Sequence, residues 1–477
     1  MVAISIDDFR SSRRNTYGGE ISATLKTNLS LPVVWKAGVK TQYELYTVEI
    51  PGQLFQYFYT PNGANIGWNG FKSNFPFELS MTDTKIRSLS GGNIFIADLL
   101  AIGRRFDEHQ NEFNHSLTPA GYIAAYITSP RRYEETIDAG YLMGTTKSGQ
   151  STFRAGLRWE QTSGDATELD QRSPQEVRAA NFQVGANGRA TTIPGLEYQY
   201  FSKPRVHRTS TYDNFFPSGS FKYQFTRNFD FQLGYSKTIR RAAFKDVAGF
   251  FNVNDQTRVV AAPNIKLSPE HSDNLSARLA YYFEPVGVLA FNLFENNVDG
   301  LMLIDTVSEA EFGYDGPEDY SGYQFQTTTN SAERIKIRGF EFEYFQSLSF
   351  LPGALRGLGV RASYTHNHAD AVVPDLARNS VGGGINYTLR RFSANLNALW
   401  KDRVILNVDE TAYRRSFITL DASAGFKLTA RTSLFVSGRN LTNSKRVTID
   451  TFVPGSEVWS NYQVTGTTWT AGVKGTF

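Results

Sequence analysis

The chain has 477 residues and no cysteine, which excludes disulfides and every thiolate-held metal. No apolar run approaches the roughly 18 residues that a membrane-crossing helix needs, so no such helix is expected. Charge of one sign is not in excess either. Lys and Arg total 49 against 46 for Asp and Glu, and a net charge of +3 gives no reason to expect nucleic acid as a partner. The opening MVAISIDDFRSSRRNT lacks a basic start, an apolar core and a small-residue cleavage site, and does not read as a secretory leader. No nucleophile–base constellation stands out, so the reading is of a non-enzyme with no cofactor.

What is present is aromatic: 36 Phe and 24 Tyr bring the aromatic share to 14% while the mean hydropathy stays at -0.35. A chain rich in aromatics yet polar on average suits strands that alternate between two solvents. Period-two alternation is the test. Over 33–45 the odd positions are Val33, Trp35, Ala37, Val39, Thr41, Tyr43 and Leu45, with Lys36, Gly38, Lys40, Gln42 and Glu44 between them. Leu275, Ala277, Leu279, Tyr281 and Phe283 repeat the pattern, as do Phe392, Ala394, Leu396, Ala398 and Trp400. The scan predicts about 15 strands, near 21–29, 33–45, 136–144, 153–159, 221–225, 229–235, 275–283, 288–294, 335–345, 358–364, 381–389, 392–400, 418–428, 434–440 and 467–477. In the ninth the apolar parity switches at Gly339, from Ile335 and Ile337 to Phe340, Phe342 and Tyr344, which predicts a glycine bulge.

The connections alternate short and long. Tight ones such as 30–32, 226–228, 390–391 and 429–433 separate long ones such as 46–135, 160–220, 236–274, 295–334 and 441–466. Tight periplasmic turns and large extracellular loops are what an antiparallel transmembrane β-barrel of the outer membrane requires, whereas a soluble sandwich has no reason for such regularity. An outer-membrane protease or lipase on a smaller barrel is the enzymatic alternative. With a periplasmic C-terminus the last strand descends, and counting back leaves residues 1–20 outside. About 15 strands break the even-number rule for bacterial barrels, so the expectation is that an odd number of strands and the export signal lie upstream. A miscounted strand is the other reading, and 122–127 (YIAAYI) is the stretch that could hide one.

The run 212–241 (YDNFFPSGSFKYQFTRNFDFQLGYSKTIRR), the run 267–302 (LSPEHSDNLSARLAYYFEPVGVLAFNLFENNVDGLM), the stretch 337–344 (IRGFEFEY) and the closing 433–446 (SLFVSGRNLTNSKR) and 470–477 (TAGVKGTF) resemble TonB-dependent receptors in order and spacing. The resemblance implies a barrel of about 22 strands, of which this chain would be a partial domain over 1–477. It also implies energised import of a scarce solute, a plug inside the barrel and an N-terminal box that engages TonB. Neither plug nor box is visible, so coupling to the TonB complex is expected only through an N-terminal part. Siderophores, cobalamin, haem, oligosaccharides and peptides all use this scaffold, and a passive porin-like channel or a non-transporting barrel fragment are the competing readings.

The last strand carries the clearest candidate site. Trp469, Ala471, Val473, Gly475 and Phe477 share one face, read both as lipid-facing girdle and, as the resemblance implies, as a signal for the barrel-insertion machinery. Tyr57, Phe58, Tyr59 and Trp68 in the first long loop are candidates for stacking on a solute, or ordinary loop packing. The loop 299–333 holds Asp299, Asp305, Glu309, Glu311, Asp315, Glu318, Asp319 and Glu333 with no Lys or Arg. It is read as a solvated acidic tip, since its spacing matches no calcium loop. His366 and His368 sit two apart at a strand exit, and polar loop chemistry is the plainer reading than a metal site.

Overall fold

A strand with lipid on one side and water on the other must reverse the polarity rule of soluble sheets, and this sheet does so. The computed structural model describes residues 3–5, 11–28, 30–49, 56–63, 70, 73–79, 94–97, 99–254, 257–314, 320–451 and 456–475. Fifteen strands pair in strict sequence order into one antiparallel sheet. They are β1 (Ser11–Asn28), β2 (Pro32–Glu49), β3 (Arg131–Ser148), β4 (Ser151–Glu168), β5 (Val206–Thr226), β6 (Phe229–Arg240), β7 (Glu270–Phe283), β8 (Gly287–Asp299), β9 (Ile335–Ser347), β10 (Leu358–Ala369), β11 (Asn379–Leu389), β12 (Phe392–Lys401), β13 (Phe417–Lys427), β14 (Thr432–Arg439) and β15 (Thr468–Gly475). The sheet is not closed: β1 and β15 are its two edges. Both run the same way, so pairing them directly would require a parallel contact.

The register shows the two faces. Phe231, Leu279, Phe291, Phe342, Tyr364, Val381, Trp400 and Ile418 stand opposite one another on eight successive strands. Leu279, Phe291, Phe342, Val381 and Ile418 are exposed, Leu279 at 41% and Phe342 at 40%, and Phe231, Tyr364 and Trp400 are half-buried. One residue further along, Gln232, Arg278, Asn292, Glu341 and Thr365 line up on the other face. That face buries charge: Asp230 is 3% exposed and Glu44 4%. Polar within and apolar without is the arrangement of a transmembrane barrel wall.

All fifteen predicted strands form, and short turns at one end alternate with longer loops at the other, except that the connection 348–357 is no shorter than the loop 370–378 that follows it. The strand ends differ from expectation. β1 starts at Ser11 instead of 21, β4 continues to Glu168 instead of 159, and β5 starts at Val206 instead of 221. Residues 11–20 are therefore strand. The bulge expected at Gly339 is absent, because pairing with β8 and β10 runs through it unbroken. The parity switch marks the strand leaving the lipid: Phe340 and Phe342 lie on the outward face, Ile335 and Ile337 on the inward one. Glycine is needed there for a close approach, since a Cβ at Gly339 would fall 2.0 Å from the His366 carbonyl oxygen. The stretch 122–127 hides no strand. It is the end of a helix Pro119–Tyr122 running into a wider helical turn, Ile123–Ile127. Thr118 caps that helix, accepting from the Gly121 N–H at 3.0 Å, with Pro119 in the first turn.

Candidate functional site

The five longest strands, β1–β5, rise above the lipid band and form a wall on which the outer loops fold. Above the band the outward face turns polar: His207 pairs with Asp165 at 3.0 Å, Arg132 with Glu134 at 2.7 Å, and the Trp159 indole donates to Asp213 at 3.0 Å. The inward face carries a charge network. Arg14 meets Glu44 at 2.5 Å, and Glu160 accepts from both Arg158 and Arg241 at 2.6 Å. Arg241 follows β6, so this pair brings the loop 241–269 back across the inward face to β4. Arg241 also donates to the Thr162 hydroxyl at 3.1 Å. Phe244 completes the crossing, with its ring 4.7 Å from Tyr46 and 5.4 Å from Tyr133, under the Arg14 guanidinium at 5.2 Å. Val247, Ala248 and Leu267 then pack with Tyr133 and Ala166 in a small core at the mouth.

Two further loop bodies surround this strap. In the loop 169–205, Ser173 and Glu176 form a reciprocal capping box on the helix Pro174–Ala179. The Ser173 backbone N–H holds the Glu176 carboxyl below its ordinary range. Val177, Leu196 and Tyr200 bury themselves against Ile127. Burial beside Glu197 pushes the Tyr122 phenol up to about 12. The second body is a four-stranded sheet of Asn252–Asn254, Val259–Ala261, Gln324–Asn330 and Met302–Ser308, packed on Phe312, Tyr314, Tyr320 and Phe325. Between these bodies and the wall lie two open cavities. One of about 510 Å³ is bounded by Glu168, His207, Arg208, Phe251, Lys266 and Tyr314. The other, of about 370 Å³, is bounded by Arg131, Lys245, Asp246 and Gln326. Lower down, a hollow of about 610 Å³ on the inward face is lined by Glu341, Glu343, Arg361, Ser363, Asn397 and Asp421 together with the apolar Val288, Phe345 and Leu399. The arrangement can hold a polar small molecule above the band and offers a polar surface below it.

The candidate residues from sequence are scattered over this plan. Trp469, Ala471 and Val473 stand opposite Gly438, Val436 and Leu434 on the outward face, and Trp469 is 64% exposed. Phe477 lies outside the described residues. Tyr59 is buried against Phe75 and Phe113 at 5.0 and 5.1 Å, and Tyr57 packs edge-on to Phe106 at 4.7 Å. Phe58, half-buried, alternates with them, and Trp68 lies outside the described residues. The acidic loop does not converge. Asp299 pairs with Arg334 at 2.7 Å, Asp305 accepts from the Thr306 N–H at 2.7 Å, and Glu311 caps a helical turn with Ser308. Asp315, Glu318 and Asp319 lie outside the described residues. His366 contacts the Asn379 amide oxygen at 2.9 Å and stacks on Phe340, and His368 stands across from Arg338 on the outward face. Among the described residues no three His, Asp or Glu gather as a metal site. Sequence reasoning missed Arg14, Glu44, Arg131, Glu160 and Arg241. The pair Arg240–Arg241 at the end of β6 was the one visible signal.

Comparison with known proteins gives this plan a family context. The family model described as TonB dependent receptor-like, beta-barrel, matches residues 4–441. No curated protein sequence matches the chain. Among solved structures, the ferric-catecholate import receptor Fiu of E. coli K12 superposes with a TM-score of 0.55 at 12% identity, covering 97% of this chain and 54% of that one. The siderophore receptor PiuA of Acinetobacter baumannii gives 0.54 at 12%, covering 97% and 56%. The ferric yersiniabactin uptake receptor FyuA of Yersinia pestis gives 0.53 at 12%, covering 98% and 55%. The chain thus spans a little over half the length of these structures, and at such identity the likeness is one of fold.

Proposed function

Since the chain belongs to the TonB-dependent receptor β-barrel family, whose members lie in the bacterial outer membrane, we propose that it is the barrel part of a receptor that captures a scarce small solute for TonB-energised import. The observation that carries this reading is the strapped mouth. A plain diffusion pore needs an open lumen, whereas here Arg241 and Phe244 draw a loop across the inward face onto β2–β4. The named siderophore receptors among the solved structures favour a ferric chelate over an oligosaccharide as that solute. The family implies TonB as the partner that energises this import. The outward Trp469, Ala471 and Val473 face lipid on β15, and the C-terminal residues, Phe477 among them, are what the barrel-insertion machinery reads.

Uptake of labelled ferric chelates by cells carrying the whole gene tests this reading. Accumulation that stops when TonB is removed supports it. Uptake indifferent to TonB, with steady conductance in planar bilayers, would establish a passive channel instead.

A further inference from the structure

The cavity of about 370 Å³ at the mouth has an unusual charge balance. Arg131, the first residue of β3, shares the inward face with Tyr133 and Glu135, just above the Phe244 strap. Its Nε is buried without a hydrogen-bond partner, and its guanidinium forms no ion pair among the described residues. The backbone of the strap passes directly over it: a Cβ at Gly249 would fall 3.2 Å from that Nε. Lys245, exposed on the same strap, lines the same cavity and is likewise unpaired among the described residues. The single carboxylate there, Asp246, already accepts the Thr328 hydroxyl at 3.3 Å. The Thr327 hydroxyl is spent on the Ala262 carbonyl at 2.8 Å. Asn252 uses its amide oxygen for Arg189 at 2.9 Å, so its NH2 remains as a donor.

A half-buried cation with no ion pair among the described residues is costly, and the guanidinium fork matches the paired oxygens of a carboxylate or phosphate. The surrounding side chains bring two cations, the Asn252 NH2 and one carboxylate, already engaged, beside the Gln326 amide and threonine hydroxyls that can donate as well as accept. We propose that this cavity is an oxyanion subsite, in which Arg131 and Lys245 take a carboxylate or phosphate group of the captured solute. The proposal deepens the receptor reading and rests on it for the word solute, but the binding event needs neither TonB nor transport. The strap gives the site a second property. Because Lys245 and Gly249 sit on the segment held by Arg241 and Phe244, occupancy of the cavity ties that segment more firmly to β3.

Isothermal titration of the folded full chain in detergent micelles, with inorganic phosphate and separately with citrate, tests this. Binding of at least one of them is expected, with Arg131→Gln lowering affinity by roughly tenfold or more, the scale of a hydrogen bond to a charged group. Lys245→Glu, at an exposed position that leaves folding untouched, is expected to weaken the same anion and decides the matter if the Arg131 variant does not fold. A control at Arg154, on the inward face near the periplasmic end, should bind like the parent. Absence of binding by both anions, or binding unchanged in Arg131→Gln or Lys245→Glu, would overturn the subsite. Anion binding without TonB-linked uptake would leave the subsite standing while the receptor reading fell.

Discussion

The lower and upper parts of the same strands obey different rules. Within the lipid band, the outward positions of β6–β13 are Phe, Leu, Tyr, Val, Trp and Ile, and the inward ones are Gln, Arg, Asn and Glu. Above it, on β1–β5, both faces are polar, with Asp165, His207 and Asp213 outside and Glu44, Glu160 and Arg14 inside. Alternation is thus a property of the solvent pair, not of the strand. Where water bathes both faces, pairing continues and the pattern disappears.

The difference can be broken most forcefully by charge. Leu279→Arg, in mid-band on the outward face, should cost about 2–4 kcal/mol and show as lost heat-modifiable mobility, while Thr211→Arg, outward on β5 above the band, should fold normally. Equal damage at both sites would erase the distinction. Next in size is the strap. Arg241→Ala removes one of two guanidinium partners from Glu160 and should release the loop 241–269 by about 1–3 kcal/mol, read as faster amide exchange there with β6–β15 unchanged. Smaller again, Ser173→Ala removes a capping box confined to an outer loop and should cost about 1 kcal/mol locally, with no change in membrane insertion. The smallest effect is a titration. With its phenol raised to about 12, Tyr122 keeps its contribution at neutral pH and up to the unfolded value near 10, then loses it as pH climbs through the folded one. Tyrosinate absorbance in Tyr122→Phe should lack that late step.

These two regimes also explain what the sequence showed and what it did not. Each of the fifteen strands was legible over at least part of its lipid crossing, because stretches such as Leu275 to Phe283 or Phe392 to Trp400 must alternate there. Most missing lengths were upper ends, 11–20 and 160–168 with its partner 206–214, where residues such as Glu168 and His207 carry no period. The stretch 215–220 pairs with 154–159 inside the band and was missed because Pro217 and Gly219 interrupt the apolar alternation. Gly339 misled for the same reason, since its parity switch is the border between regimes. The helix at 119–122 was announced by Thr118 and Pro119, but an apolar YIAAYI drew the eye to strand. The mouth was largely illegible. Glu160 and Arg241 are about eighty residues apart, and only the return of a loop onto the wall joins them and carries Lys245 and Gly249 up to Arg131.

Because the chain contains no cysteine, single thiols can be placed at will. The decisive measurement is the reactivity of Phe291→Cys, Asn292→Cys and Leu293→Cys on β8 toward a charged, membrane-impermeant thiol reagent, in protein inserted in liposomes. Asn292→Cys, beside Arg278 and Glu341, should react readily, and its two neighbours should be protected by lipid. Equal reactivity along the three, or protection of position 292 alone, would contradict a wall that is polar within and apolar toward the membrane.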